Sequence, residues 1–130
     1  MSDTPLHILL VEDYAANILV ATLYLEQFGY TYDVAENGMQ AYEKIQANRY
    51  DVILMDVQMP DMNGFDATRL VREFEQTSSK PKTPIIGMTA HALAGDKERC
   101  LVAGMDDYIS KPFNPDELQA KIASWAKQAA

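Results

Sequence analysis

A parallel α/β sheet with helices on both faces is the fold class predicted for these 130 residues, and three features predict it. Short apolar runs of strand length recur five times along the chain. Each is followed by a stretch whose apolar residues recur at helical spacing. No internal repeat or low-complexity tract interrupts the alternation. Five β-α units in unbroken succession imply parallel strands joined by right-handed crossovers, with the helices packed on the two faces.

Leu6 to Val11 is the first strand, with only His7 polar, and it ends at Glu12-Asp13. From Ala15 the period changes: Ile18, Ala21, Leu25 and Phe28 form a helical stripe that Gly29 stops, and Asn17 is a first-turn helix residue. Tyr30 to Ala35 is a weaker strand with Val34 inward, suited to a sheet edge. Glu36-Asn37-Gly38 carries the Asn-Gly pair of a hairpin. The helix formers of Met39 to Asn48, with Ala41, Tyr42 and Ile45 on one side, argue against that hairpin.

Val52 to Met55 is the strongest strand, four apolar residues that suit burial on both faces of a central parallel strand. It runs into Asp56, whose charge places it where the strand gives way to a loop. Pro60 and Asn63-Gly64 close that loop. Phe65 to Gln76 is a helix with Ala67, Leu70, Val71 and Phe74 as its buried face. The polar run from Thr77 to Lys82 is short enough to be a loop and not a domain boundary. Pro84 to Met88 is the fourth strand, ending at Thr89-Ala90. Ala92 to Ala103 is a helix poor in large apolar residues, hence the least firmly anchored, with Gly104 placed to cap it. Asp107 to Ser110 is a short fifth strand before Lys111-Pro112. Asn114 and Pro115 begin the last helix as N-cap and first residue, with Leu118, Ile122 and Trp125 as its stripe.

Composition narrows the function. The length suits one domain, residues 1–130, and 48% hydrophobic content with seven tyrosines argues against disorder. A formal net charge of −8 argues against nucleic-acid binding, which needs clustered Lys and Arg. The single cysteine, Cys100, excludes an internal disulfide, and the separated His7 and His91 make zinc a poor fit. With no long apolar run and no basic, apolar leader at Met1, a cytoplasmic chain that avoids membranes is expected.

Four strand ends carry groups that converge on one sheet edge: Glu12 and Asp13, Asp56, Thr89, and Lys111. Singly these read as an acidic turn, a turn acid, a strand-end hydroxyl and a surface lysine. Together they place three carboxylates where full ionisation needs a compensating cation. Lys111 supplies one positive charge, and all-oxygen donors favour Mg²⁺ for the remainder. A metal, an ammonium and a hydroxyl beside a carboxylate suit a phosphoryl group, with Asp56 as nucleophile and Thr89 and Lys111 on its oxygens.

The segments Ile8 to Asp13 (ILLVED), Val52 to Gly64 (VILMDVQMPDMNG), Thr89-Ala90 and Gly104 to Phe113 (GMDDYISKPF) resemble the receiver domain of two-component response regulators over essentially the whole chain. The apolar run before Asp56, the loop from Met59 to Gly64 (MPDMNG) and the stretch from Met88 through Phe113 are most like receivers of hybrid sensor histidine kinases or stand-alone single-domain regulators. The resemblance implies a flavodoxin-like fold of five strands in the order 2-1-3-4-5. It implies Asp56 as phosphoacceptor in a phosphorelay, and Mg²⁺ held by Glu12, Asp13, Asp56 and the backbone carbonyl of Gln58. It further implies Thr89 and Lys111 as phosphoryl-binding residues and Tyr108 as an aromatic switch. Gln58 and His91 stand where the family tunes phosphate lifetime. Where many receivers have Asp-Asp this chain has Glu12-Asp13, so Glu12 is expected to reach a metal through water. The Lys111-Pro112 bond is expected to be cis, so that the lysine turns back toward Asp56 while the chain departs into the last helix.

The implied partner is a sensor histidine kinase or a histidine phosphotransfer protein. The chain would be a monomer or weak dimer that binds neither nucleic acid nor membrane, and no enzyme toward any separate substrate. A lone regulator would act by docking; a piece of a hybrid kinase would relay phosphate to a transfer protein. A flavin-phosphate site would need a glycine- and hydroxyl-rich loop where Glu12-Asp13 stand. An aspartyl phosphatase would need a second acid where Gln58 stands. An interaction module that has lost phosphorylation is the remaining rival, against which the complete acid, Thr and Lys set argues.

Overall fold

The structure, a computed structural model, describes residues 5–59, 62–90 and 96–129. The five strands are β1 (His7–Val11), β2 (Thr31–Ala35), β3 (Val52–Asp56), β4 (Ile85–Thr89) and β5 (Asp107–Ser110). They pair in parallel in the order β2-β1-β3-β4-β5, the predicted topology. The helices are α1 (Ala15–Gln27), α2 (Gly38–Ala47), α3 (Gly64–Thr77), α4 (Asp96–Ala103) and α5 (Pro115–Ala129).

Alternation along the strands divides the core in two, because successive side chains point to opposite faces. Ile8 and Leu10 of β1 join Val52 and Leu54 of β3 against Ala21 and Leu25 of α1 and Leu118 and Ile122 of α5. Leu9, Val11, Ile53 and Met55 face the other way, onto Ala41 and Ile45 of α2, Ala67 and Val71 of α3 and Cys100 of α4. All of β3 and β4 is buried, as continuous apolar runs require of central parallel strands. β2 is the edge predicted for it, with Val34 only half-buried.

Three asparagines start helices. Asn37 Oδ1 accepts from the Gln40 N–H at 2.9 Å, so the Asn-Gly pair caps α2 and makes no hairpin. Asn63 Oδ1 accepts from the Asp66 N–H at 2.9 Å, and Asn114 Oδ1 from those of Asp116 and Glu117 at 2.9 and 3.1 Å. Gly104 takes φ +108°, the left-handed turn that ends α4. The Lys111-Pro112 bond is cis, as expected.

The buried face of α3 differs from the predicted one. Thr68 is fully buried and Leu70 only half-buried. The Thr68 hydroxyl donates to the Gly64 carbonyl at 2.7 Å, so its polar group is satisfied inside the helix and its methyl can face the core. The next turn buries Glu75, held by Arg72 at 2.9 Å and by the Thr83 N–H at 2.8 Å. The first part of the predicted fourth helix, Ala92 to Gly95, lies outside the described residues. Of the side chains described in α4, only Cys100 and Ala103 are buried, whereas Leu101 and Val102 are exposed. The expectation of weak anchoring matches that face. Trp125 of α5 donates Nε1–H to Asp107 Oδ2 at 3.0 Å and ties the last helix to β5.

Candidate metal and phosphoryl site

Parallel register brings the predicted groups to one edge. Val11 pairs with Ala35 on one side and Met55 on the other, Asp56 pairs with Met88, and Thr89 with Ser110. Backbone bonds continue the sheet past the strand ends, from Glu12 N–H to the Ala35 carbonyl at 2.9 Å and from Lys111 N–H to the Thr89 carbonyl at 2.8 Å. Glu12, Asp56, Thr89 and Lys111 are therefore held by sheet hydrogen bonding and not by loop conformation.

Carboxylate oxygens of Glu12, Asp13 and Asp56 lie within 4.8 Å of one another. Asp56, the last residue of β3, is 3% exposed and Glu12 is 1% exposed, while Asp13 faces solvent. Burial of Glu12 departs from the solvated acidic turn that its sequence position suggests. Three contacts make that burial tolerable: Lys111 Nζ reaches Glu12 Oε1 at 2.7 Å, and the N–H groups of Asp13 and Tyr14 donate to Oε2 at 3.1 and 3.2 Å. Lys111 lies farther from Asp56 Oδ1, at 3.3 Å. The Gln58 N–H donates to that same oxygen at 3.2 Å.

The two buried acids divide the charge between them. Burial pushes Asp56 upward to about 6, against the pull of Lys111 and the Gln58 N–H, and the charge of Glu12 adds to the push. Burial acts on Glu12 too, but Lys111, the Tyr14 N–H and the shared hydrogen bond with Asp56 together hold it below its ordinary range. Up to about pH 6 the pocket therefore holds one proton between them in the absence of a cation. Oxygen donors alone, with an exposed acid at the mouth, form the donor set of a hard divalent ion and fit Mg²⁺.

Thr89 is buried at the end of β4, beside the lysine that follows β5. Tyr108 is half-buried against the core cluster on the α2, α3 and α4 face, with Lys121 Nζ 5.8 Å from its ring centroid. The side chain of Gln58 is exposed. His91 lies outside the described residues, as do Pro60 and Asp61 of the loop after β3.

Gly64 has a role beyond the loop closure read from sequence. A Cβ placed there would lie 2.2 Å from the Asp56 carbonyl oxygen and 2.9 Å from Val57 Cα, so the first turn of α3 packs directly on the backbone carrying Asp56. The signal in the sequence is a glycine directly after an N-cap asparagine, where helix geometry itself does not ask for one. Gly64→Ala is expected to cost about 1–3 kcal/mol, the usual range for overpacking, and to shift the amide resonances of Asp56 and Val57. Urea unfolding and ¹⁵N spectra would read both, and an unshifted Asp56 amide with parental stability would refute the contact.

Residues 8–123 match the response regulator receiver domain family, and the chain belongs to that family. Its sequence is 44% identical to probable histidine kinase 1 of Oryza sativa subsp. indica over 82% of this chain, which is 14% of that kinase. The chain thus spans about a seventh of the length of the curated relatives it matches first. The receiver domain of sensor histidine kinase PA1611 from Pseudomonas aeruginosa PAO1, a structure with magnesium coordinated in the active-site cleft, superimposes with TM-score 0.86 at 42% identity, covering 95% of this chain and 99% of that one. The receiver domain of Ssk1 from Saccharomyces cerevisiae, co-crystallised with the histidine phosphotransfer protein Ypd1, superimposes with TM-score 0.90 at 29% identity, covering 100% of this chain and 95% of that one. The chain is a receiver domain homologous to those of phosphorelays.

Proposed function

We propose that Asp56 accepts a phosphoryl group from a phosphohistidine, with Mg²⁺ held by Glu12, Asp13, Asp56 and the Gln58 carbonyl. The observation that carries this reading is a carboxylate 3% exposed at the end of the central strand, with a lysine 3.3 Å away and two further acids beside it. An Asp56 oxygen forms a P–O bond as the P–N bond of the donor breaks, and the electron pair leaves on the imidazole nitrogen. Lys111 and the Thr89 hydroxyl hold phosphoryl oxygens through charge and hydrogen bonding. Mg²⁺, when bound, supplies the positive charge that lets Glu12 and Asp56 ionise together. The chain acts as a phosphoacceptor and switch and turns over no separate substrate. Thr89 and Tyr108 pass the modification to the face of α4, β5 and α5, and Gln58 and His91 set how long it lasts.

The donor is a sensor histidine kinase or a histidine phosphotransfer protein. Tyr14, Leu19, Val20 and Leu23 expose apolar surface on or beside α1, which begins two residues after Asp13, and offer a helical partner a place to dock by the pocket. Residues 1–130 are read as one cytoplasmic receiver, a monomer or weak dimer that binds neither nucleic acid nor membrane. A net charge of −8 supports the first exclusion. Among the described residues no helix is long and apolar enough to cross a membrane.

Incubation with acetyl phosphate and Mg²⁺ is expected to add about 80 Da, one phosphoryl unit, to the intact mass. Asp56→Asn should gain nothing. Labelling of the Asn variant at the parental level would remove Asp56 from the role, and a parent that gains no mass would leave an interaction module.

A further inference from the structure

At the opposite end of the sheet from Asp56, a cavity of about 390 Å³ opens below the starts of β3 and β4. We propose that it is a binding site for a small aromatic carboxylate, its ring against Ile45, Phe74 and Pro81 and its charge on Arg49 and Lys80. The volume lies within the range of small-molecule sites. Apolar wall is supplied by α2, α3 and the loop before β4, and Tyr50 adds a ring edge fixed by its hydroxyl bond to Asp33 Oδ2 at 2.7 Å.

The charges at the cavity are unequal in their commitments. Glu75 uses its oxygens on Arg72 and the Thr83 N–H, and Asp51 accepts from the His7 N–H at 2.8 Å. Lys82 is engaged with Asp106 at 3.1 Å. Arg49 and Lys80 have no carboxylate partner among the described residues, and the Lys80 ammonium lies 5.1 Å from the Phe74 ring centroid. The two leave unpaired positive charge at the mouth of the cavity in a chain of net charge −8. The ends of α2 and α3 point here, and their negative dipole ends would oppose an anion. Donors already engage several of those carbonyls: Asn48 N–H and Nδ2 donate to the Lys44 carbonyl at 2.8 and 3.1 Å, and Lys80 N–H to that of Glu75 at 2.9 Å. Three lining cations against two lining acids leave an excess of one, which suits a monoanion better than a phosphate dianion. Ile53 is three residues before Asp56 on β3, about 10 Å away at the usual strand rise, so such a ligand would not touch the acid pocket.

The test is a titration of the full chain with 1-naphthoate, followed by ¹⁵N–¹H spectra and repeated with neutral 1-naphthamide and with 1-naphthyl phosphate. Naphthoate should shift the amides of Ile53, Phe74 and Thr83 and saturate, and the other two should bind about tenfold more weakly, the effect of losing a charge-assisted contact or adding an uncompensated charge. Arg49→Gln with Lys80→Gln, both exposed positions, should reduce naphthoate to the level of the amide and leave amide binding unchanged. Absence of shifts around the cavity, shifts confined to exposed α1 residues such as Leu19 and Leu23, or equal binding of acid and amide would each overturn the proposal. Tighter binding of the phosphate would overturn the assigned class.

Discussion

Arg72→Ala is expected to destabilise the fold by about 3–5 kcal/mol, the usual loss when one partner of a buried ion pair is removed and the other is stranded. Its guanidinium is largely buried and spends its donors on four groups. Nε–H goes to the Gly104 carbonyl at 2.8 Å, Nη1–H to the Thr83 carbonyl at 2.8 Å and to Glu75 Oε1 at 2.9 Å, and Nη2–H to Asp106 Oδ2 at 2.8 Å. One side chain thereby ties α3 to the loop before β4 and to the chain entering β5. Without it Glu75 keeps only the Thr83 N–H, and Asp106 keeps the Ile85 N–H and the exposed Lys82. The loss is large against a typical total of about 5–15 kcal/mol. Adding Glu75→Gln and Asp106→Asn to the Ala variant should recover part of it, because the stranded charges carry much of the cost. A loss below about 1 kcal/mol in urea unfolding would show that water replaces the guanidinium freely.

Arg72 was not legible in the sequence, and the reason is physical. An arginine within an amphipathic helix reads as solvated, and its decisive partners Gly104 and Asp106 lie 32 and 34 residues away. Elements whose signals are local fared otherwise. The apolar runs of β1, β3 and β4 announce strands buried on both faces, and Asn114 announces a helix start through the hydrogen bonds it can offer. Asn37-Gly38 locally suggested a hairpin, and the helix formers after it decided against one. Leu70 and Thr68 show the limit of hydrophobicity alone. A hydroxyl that bonds back to its own helix can occupy the core in place of the leucine two residues on.

The site was legible for a related reason. In a parallel sheet every strand points its carboxyl end to the same edge, so an acid after β1, an acid ending β3, a hydroxyl ending β4 and a lysine after β5 become neighbours without any long-range information. The partition of contacts within that group was not legible. Glu12 is longer than the aspartate many receivers carry, and here it reaches inward and takes the shorter contact with Lys111, 2.7 Å against 3.3 Å to Asp56. Asp56 is left as the acid whose charge is least compensated.

That imbalance predicts an effect on stability separable from phosphorylation. In metal-free buffer at pH 7, Asp56→Asn is expected to be more stable than the parent by about 2–3 kcal/mol, since each tenfold change in proton affinity on folding is worth about 1.4 kcal/mol. Folded Asp56 keeps its proton up to about pH 6, mainly because burial penalises its charge, whereas the unfolded chain releases it near 3.8. Between those values the folded state holds more protons than the unfolded one. The contribution of Asp56 to stability therefore falls as pH rises through this window and is constant above it. Asn has no proton to lose, so the gap between variant and parent should be small below pH 4, widen to about pH 6 and then hold. Glu12 acts in the opposite sense, since its depressed folded pKa adds stability above its ordinary 4.5 that is lost as pH falls. Lys111 and the Tyr14 N–H, which lower Glu12 more than Asp56 does, remain in both proteins, so most of its contribution cancels in the difference between them, the quantity to read. Mg²⁺ should narrow the gap at pH 7, because a ligand that binds the folded parent more tightly stabilises it more. Urea unfolding from pH 3.5 to 8, with chelator and then with Mg²⁺, would show all of this; an Asn variant no more stable than the parent at pH 7, or a gap that ignores pH, would mean that Lys111 neutralises Asp56 as fully as it does Glu12.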